Sequence, residues 1–94
     1  MAPPMTQSEI LTLLKIDLGI IGDVYDTLLS QLISSAQAFI EREGVSLTDS
    51  VEDGQLTIMY AAYLYRKRAT DEGIPRMLRL ALNNRLFGGG KNAT

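Results

Sequence analysis

The catalytic inventory of this 94-residue chain is thin, because it contains no histidine and no cysteine. Imidazole is the usual general base near neutral pH, and imidazole and thiolate are the ligands that transition metals favour. Asp and Glu remain, eleven in all, and could bind Mg²⁺ or move protons, but most stand where helix ends need caps. No enzyme activity, cofactor or metal is expected. The cations come next. Arg66, Lys67 and Arg68 are consecutive, Arg76, Arg79 and Arg85 follow, and together they could bind phosphate. A helix that reads DNA mixes such bases with Asn, Gln or Ser on one exposed face, and Asn83 and Asn84 echo that only weakly. The isoelectric point near 4.9 argues against tight nonspecific DNA binding. The glycine triplet 88–90 is no phosphate loop, since no strand precedes it and no Lys-Ser/Thr opens a helix after it.

The elements that must carry these residues are helices. Leu56, Met59, Tyr60, Tyr63 and Leu64 repeat at i, i+3, i+4, i+7 and i+8, while Ile58, Ala61, Ala62 and Tyr65 make a second stripe beside them. The stretch 55–68 is therefore a helix apolar around most of its girth, which neighbours must cover on more than one side. It starts at a cap supplied by Asp49 or Ser50, carries Gly54 as a weak point in its first turn, and runs to about Thr70. Thr6 and Glu9 have capping-box spacing ahead of a short first helix to about Lys15. A loop over 16–22 follows, whose Ile16, Leu18, Ile20 and Ile21 are expected to plug the core. Asp23 is the expected N-cap of a long second helix over 24–43, with Leu28, Leu29, Leu32, Ile33, Ala36, Phe39 and Ile40 buried. Its small residues Ser34, Ser35 and Ala38 would let another helix approach closely. Gly44 ends it in a left-handed conformation, with Val45 folding back. Asp71, Glu72 and Gly73 break the chain, Pro75 opens a fourth helix, and Leu78, Ala81 and Leu82 repeat through Leu86. The fold class predicted is all-α: a small four-helix bundle of two long and two short helices. Residues 9–87 form the domain, between a flexible N-terminal stretch 1–8 and a flexible glycine-rich tail 88–94.

Ninety-four residues allow one core, and a mean hydropathy of +0.05 is that of a folded chain. No apolar run approaches the roughly 18 residues a membrane span needs. The start of the chain lacks the basic and apolar segments of a signal peptide, and the missing cysteines suit a reducing compartment. Charge is segregated. Residues 1–54 carry nine acids against Lys15 and Arg42, a net of −7, and residues 55–94 carry seven bases against Asp71 and Glu72, a net of +5. Such asymmetry either marks a partner surface or is neutralised inside one bundle. The tyrosines are open in the same way. Tyr60 and Tyr63 lie on the main stripe, whereas Tyr65 and Tyr25 lie off it, and half-wet tyrosines line either a core rim or a subunit contact. Two features point beyond a self-contained monomer: a third helix apolar on too many sides for short neighbours to cover, and Leu86 with Phe87 placed as an anchor.

The order of these segments resembles a family. LLKID comes first, then a helix of the form D-x-x-x-x-x-L-x-x-L-I-x-x-A-x-x-x-I, then an apolar helix ending in LYRKR, and finally I-P-R-M-L-R-x-A-L-N-N-R-L. Over residues 10–87 this is similar to the small head–tail connector proteins of long-tailed bacteriophages, also called adaptor, head-completion or DNA-packaging neck proteins. The resemblance implies a structural subunit of a homo-oligomeric ring, commonly dodecameric, located in the virion at the head–tail junction. Such a ring binds the portal protein, seats a stopper or tail-completion protein, and passes double-stranded DNA without gripping it. By the same resemblance, portal interaction falls to Arg85, Leu86, Phe87 and the tail with Lys91. Tyr25, Tyr65, Arg66, Arg68 and Arg76 are the candidates for the subunit interface. The alternative is a small helical DNA-binding regulator whose basic fourth helix enters the major groove.

Overall fold

A computed structural model describes residues 5–68 and 73–88 of the chain. Four helices follow in order: α1, Gln7–Leu18; α2, Asp26–Arg42; α3, Val51–Lys67; and α4, Arg76–Asn83, which widens into a π-helical turn over Asn84–Gly88. The chain is all-α, as the periodicity predicts, and no strand occurs among the described residues.

Local chemistry sets most of the boundaries. The Thr6 hydroxyl accepts from the Glu9 N–H at 3.1 Å, and the Thr6 N–H donates to Glu9 Oε1 at 2.9 Å, a complete capping box. Met5 already belongs to the domain, since its N–H donates to the Asp49 carbonyl at 2.8 Å, so the fold begins earlier than residue 9. Ser50 caps α3 by accepting from the Asp53 N–H. At the end of α2, Gly44 has φ of 109°, its N–H reaches Glu41 O, and the Val45 N–H reaches Ile40 O at 3.4 Å. That is the Schellman pattern, and it turns Val45 into the core.

Three expectations about this part of the chain fail. α1 does not stop near Lys15 but runs to Leu18, where Gly19 at φ 73° repeats the Schellman closure, with the Ile20 N–H on Lys15 O at 2.9 Å. The added turn puts Ile16 on the side opposite buried Ile10 and Leu14. Ile16 is 70% exposed and Ile21 96%, so only Leu18 and Ile20 of that group pack on the core. Asp23 is not an N-cap either. α2 begins at Asp26 behind Tyr25, which makes no side-chain cap, and Asp23 instead uses its carbonyl to accept the Asp26 N–H. Asp26 holds the Lys15 ammonium at 2.8 Å, tying the start of α2 to the end of α1. Further on, Pro75 sits one residue outside α4, as its N-cap. α3 ends at Lys67, and the expected break at Asp71 and Glu72 lies outside the described residues.

The core explains the arrangement. α3 buries Leu56, Ile58, Tyr60, Ala61, Ala62 and Tyr63, while Met59, Leu64 and Tyr65 are half-buried. Its partners are Ile10 and Leu14 of α1, Leu29, Ile33, Ala36 and Ile40 of α2, and Leu78 and Leu82 of α4. Three neighbours from its own chain cover three sides of this helix, and on the remaining side Gln55 and Arg66 stay exposed and Met59 half-buried. α1 runs parallel to α3, since Met5 and Gly54 meet at one end and Asp17 and Arg66 at the other. α2 and α4 run the opposite way, as the Lys15–Asp26 and Asp53–Arg85 pairs require. Tyr60 and Tyr63 belong to the core rim of the single chain. Tyr60 stacks on Phe39 with ring centroids 5.9 Å apart, and Tyr63 meets Tyr60 edge-on.

Gly54 has a packing role as well as a helical cost. Any Cβ there would run into the Met5 side chain, so the absent side chain is what lets Met5 close the bottom of the bundle. Gly54→Ala should therefore stabilise a Met5→Ala background by about 0.5–1 kcal/mol, the usual glycine penalty, and give markedly less in the native background. Urea unfolding of the four proteins in that cycle measures the difference. Tyr63→Ala should destabilise the chain by about 3 kcal/mol in the same assay, as a buried ring truncation does.

Candidate functional site

Among the described residues the one buried charge is Asp53, in the first turn of α3, with 1% of its surface exposed. Its place follows from Ser50: a cap three residues earlier puts Asp53 where a carboxylate faces free backbone N–H groups and the positive helix end. Four donors then converge on it. The Thr48 N–H and hydroxyl reach Oδ2 at 2.7 and 2.8 Å, the Arg85 Nε–H reaches Oδ1 at 2.6 Å, and an Arg85 terminal N–H reaches Oδ2 at 3.1 Å. The same guanidinium donates to the Ser46 carbonyl at 2.9 Å. Burial pushes the Asp53 carboxyl up. The Arg85 hydrogen bonds and charge, with the Thr48 donors, outweigh it and hold the carboxyl below its ordinary 3.8. Hydrogen bonding to Asp53 in turn pushes Arg85 up. Burial, aided by nearby Glu43, likewise pushes the Tyr60 phenol up.

Arg85, expected at a portal contact, is half-buried and turned toward Asp53. It is the far half of a clamp that closes the π-helical turn over the loop 45–50. Leu86 turns inward too, for a Cβ at Gly44 would come within 3.2 Å of its Cδ1. Phe87 is the member of that group that faces water, at 70% exposure. Lys91 lies outside the described residues. Of the expected interface set, Tyr25 and Arg76 are exposed. Arg66 bridges to Asp17 at 3.3 Å, and Arg68 lies 5.6 Å from the half-buried Tyr65 ring. The fourth-helix bases do not form a free row, because Arg79 reaches Glu43 at 3.4 Å and Asn83 is half-buried.

Among the described residues, three ion pairs join the acidic half of the sequence to the basic half: Asp17–Arg66, Glu43–Arg79 and Asp53–Arg85. Part of the charge asymmetry is consumed within the bundle. Arg66 and Asp17 are each about half exposed, so their pair contributes little, whereas the Asp53 pair is shielded. No three acidic side chains converge as a metal site among the described residues. No described helix is long and apolar enough to cross a membrane.

What sequence reasoning missed is which side of α3 its neighbours cover least, with Gln55 and Arg66 exposed, Met59 half-buried and only Ala62 buried. Gln55, Met59, Ala62 and Arg66, spaced i, i+4, i+7 and i+11, share one side of the helix. They floor a recess of about 250 Å³ with rims formed by Asp17 of α1 and by Pro75 and Met77 at the start of α4. A smaller recess of about 220 Å³ continues it past Gln55 and Met59 toward Asn84. The signal was present as a polar-ended row beside two apolar stripes. The Asp53 clamp was foreshadowed only by the Ser50-x-x-Asp53 spacing.

Breaking the clamp from the arginine side strands a buried carboxylate. Arg85→Met should destabilise the chain by about 3 kcal/mol at pH 7. The wild-type advantage has a defined sign: the folded carboxyl titrates below the unfolded one, so its stabilisation is complete above the ordinary value of 3.8 and is lost as pH falls through the folded value. Urea melts at pH 7 and pH 3 should therefore show the gap between the two proteins narrowing in acid. No known protein family, curated protein or solved structure matches this chain.

Proposed function

We propose that this protein is a structural component of a bacteriophage head–tail junction: a subunit of a homo-oligomeric ring beneath the portal, performing no reaction of its own. The observation that carries this reading is the order of its segments over 10–87, from LLKID to I-P-R-M-L-R-x-A-L-N-N-R-L, set on four helices in that same order. The physical setting agrees. A domain with a radius of gyration of 13.4 Å cannot encircle a duplex, so a DNA channel takes several copies. Successive copies in a ring meet through two different faces. A channel through which DNA slides is better served by weak or acidic charge than by a phosphate-gripping surface, and the net charge is −2.

The competing reading, a DNA-binding regulator, asks for Arg76, Arg79, Asn83 and Asn84 on one free face. Arg79 reaches Glu43, Arg85 is held by Asp53 and Asn83 is half-buried, so those four side chains do not make one free row. Leu86 and Arg85 pack inward, so portal contact in this scheme falls to Phe87 and the residues after it. Native mass measurement of the pure chain over a concentration series, with a duplex titration at two salt concentrations, tests the assignment. Self-association with weak DNA binding is the expected result. A protein that stays monomeric and binds duplex tightly, with a steep salt dependence, would reverse it.

A further inference from the structure

Two features on the described surface are complementary. The first is the turn between α1 and α2, residues 19–25. Ile21 is 96% exposed and Val24 84%, so folding the single chain removes little of their apolar surface from water. The turn is nevertheless built. Gly19 and Gly22 hold positive φ values of 73° and 86°, the Asp26 N–H closes onto the Asp23 carbonyl, and the Lys15–Asp26 pair pins its base. Exposed side chains of this kind, on a fixed turn, form a knob. The second feature is the recess over Gln55, Met59 and Ala62, rimmed by Asp17, Pro75 and Met77.

Their placement suits a contact between copies. α1 and α3 run parallel and end together at the Asp17–Arg66 bridge, so the turn that follows α1 lies at the level of the Arg66 end of the recess. α2 contributes nothing to the recess, whose rims are α1 and α4, whereas the turn leads into α2. Knob and recess therefore share a height but occupy different flanks. A copy related by rotation about an axis parallel to the bundle brings one to the other, and the contact is head-to-tail by construction. Charge agrees. The Asp23 carboxylate, between Ile21 and Val24, has no side-chain partner among the described residues, and exposed Arg76 adjoins the Pro75–Met77 rim.

We infer that the α1–α2 turn of one copy seats Ile21 and Val24 in the α1–α3–α4 recess of a second copy, with Asp23 facing Arg76. The inference rests on the self-assembly proposed above and names the two surfaces that would carry it.

The chain has no cysteine, so single-cysteine variants report the contact without background. Ile21→Cys and Met77→Cys proteins, mixed and mildly oxidised, should give a mixed disulfide dimer in clear excess over either homodimer, since Met77 stands on the recess rim beside Arg76. Asp23→Arg and Arg76→Asp should each weaken self-association at least tenfold, and mixing or combining them should restore it. All four positions are exposed, and unchanged thermal melts check that folding is intact. A dominant Ile21→Cys homodimer, or self-association indifferent to both charge reversals, overturns the proposed surfaces while assembly itself stands. Failure of the wild-type chain to self-associate, with no disulfide trapped even at high concentration, overturns both.

Discussion

Taking α3 out of water is the constraint that places every other helix. Its apolar side chains occupy so much of its circumference that a single partner could cover only one strip, and the chain answers with three: α1 alongside in parallel, α2 and α4 antiparallel. The tyrosines show how tight that answer is. Tyr60 and Tyr63 are nearly enclosed yet sit on the boundary, where Arg42 lies 5.3 Å over Phe39 and Lys67 5.8 Å over Tyr63, so the aromatic cluster is roofed by cation stems. At the other end, Gly54 leaves room for Met5 to close the bundle floor. The fourth side is only partly covered, and the surface recesses lie along it.

Electrostatics act on this frame as fasteners of unequal strength. A charge as enclosed as Asp53 is tolerated only because donors from the loop 45–50 and from the far end of the chain meet on it. The consequence reaches the backbone. Past Asn83 the helix widens into a π-helical turn, and within that turn Arg85 aims at the carboxylate, Leu86 at Gly44, and Phe87 at solvent. The clamp fastens the last described segment to the first turn of the central helix. Arg85 is thereby tied into the fold, while Phe87, two residues on, is exposed.

The functional proposal gains coherence from where apolar surface is left over. A self-sufficient globule would be expected to place Ile16, Ile21 and Val24 inside, or to replace them with polar residues. Here they stand on a turn with a defined backbone, at the level of an apolar recess on another flank. A ring subunit has reason to carry both halves of a head-to-tail contact and no reason to carry reactive side chains. Charge is compatible with that proposal: the pairs that join the acidic and basic halves tie the chain's own helices together and leave Asp23 and Arg76 exposed.

Helix identity was legible in the order of residues because its causes are local. Period 3.6, the Thr6–Glu9 box, the Ser50 cap and the Gly44–Val45 closure each act within a turn or two. The α1–α2 turn misled for a related reason. Ile16 through Ile21 is apolar enough to pass for core filling, and only the continuation of α1 by one turn, closed at Gly19, rotates Ile16 outward. Arg85 meeting Asp53 was beyond such reasoning, since the two are 32 positions apart and each also suits a helix end on dipole grounds alone. The partly covered side of α3 belongs to the same class: a stripe pattern states how much apolar surface must be covered, but which flank each neighbour takes depends on how all four helices pack at once.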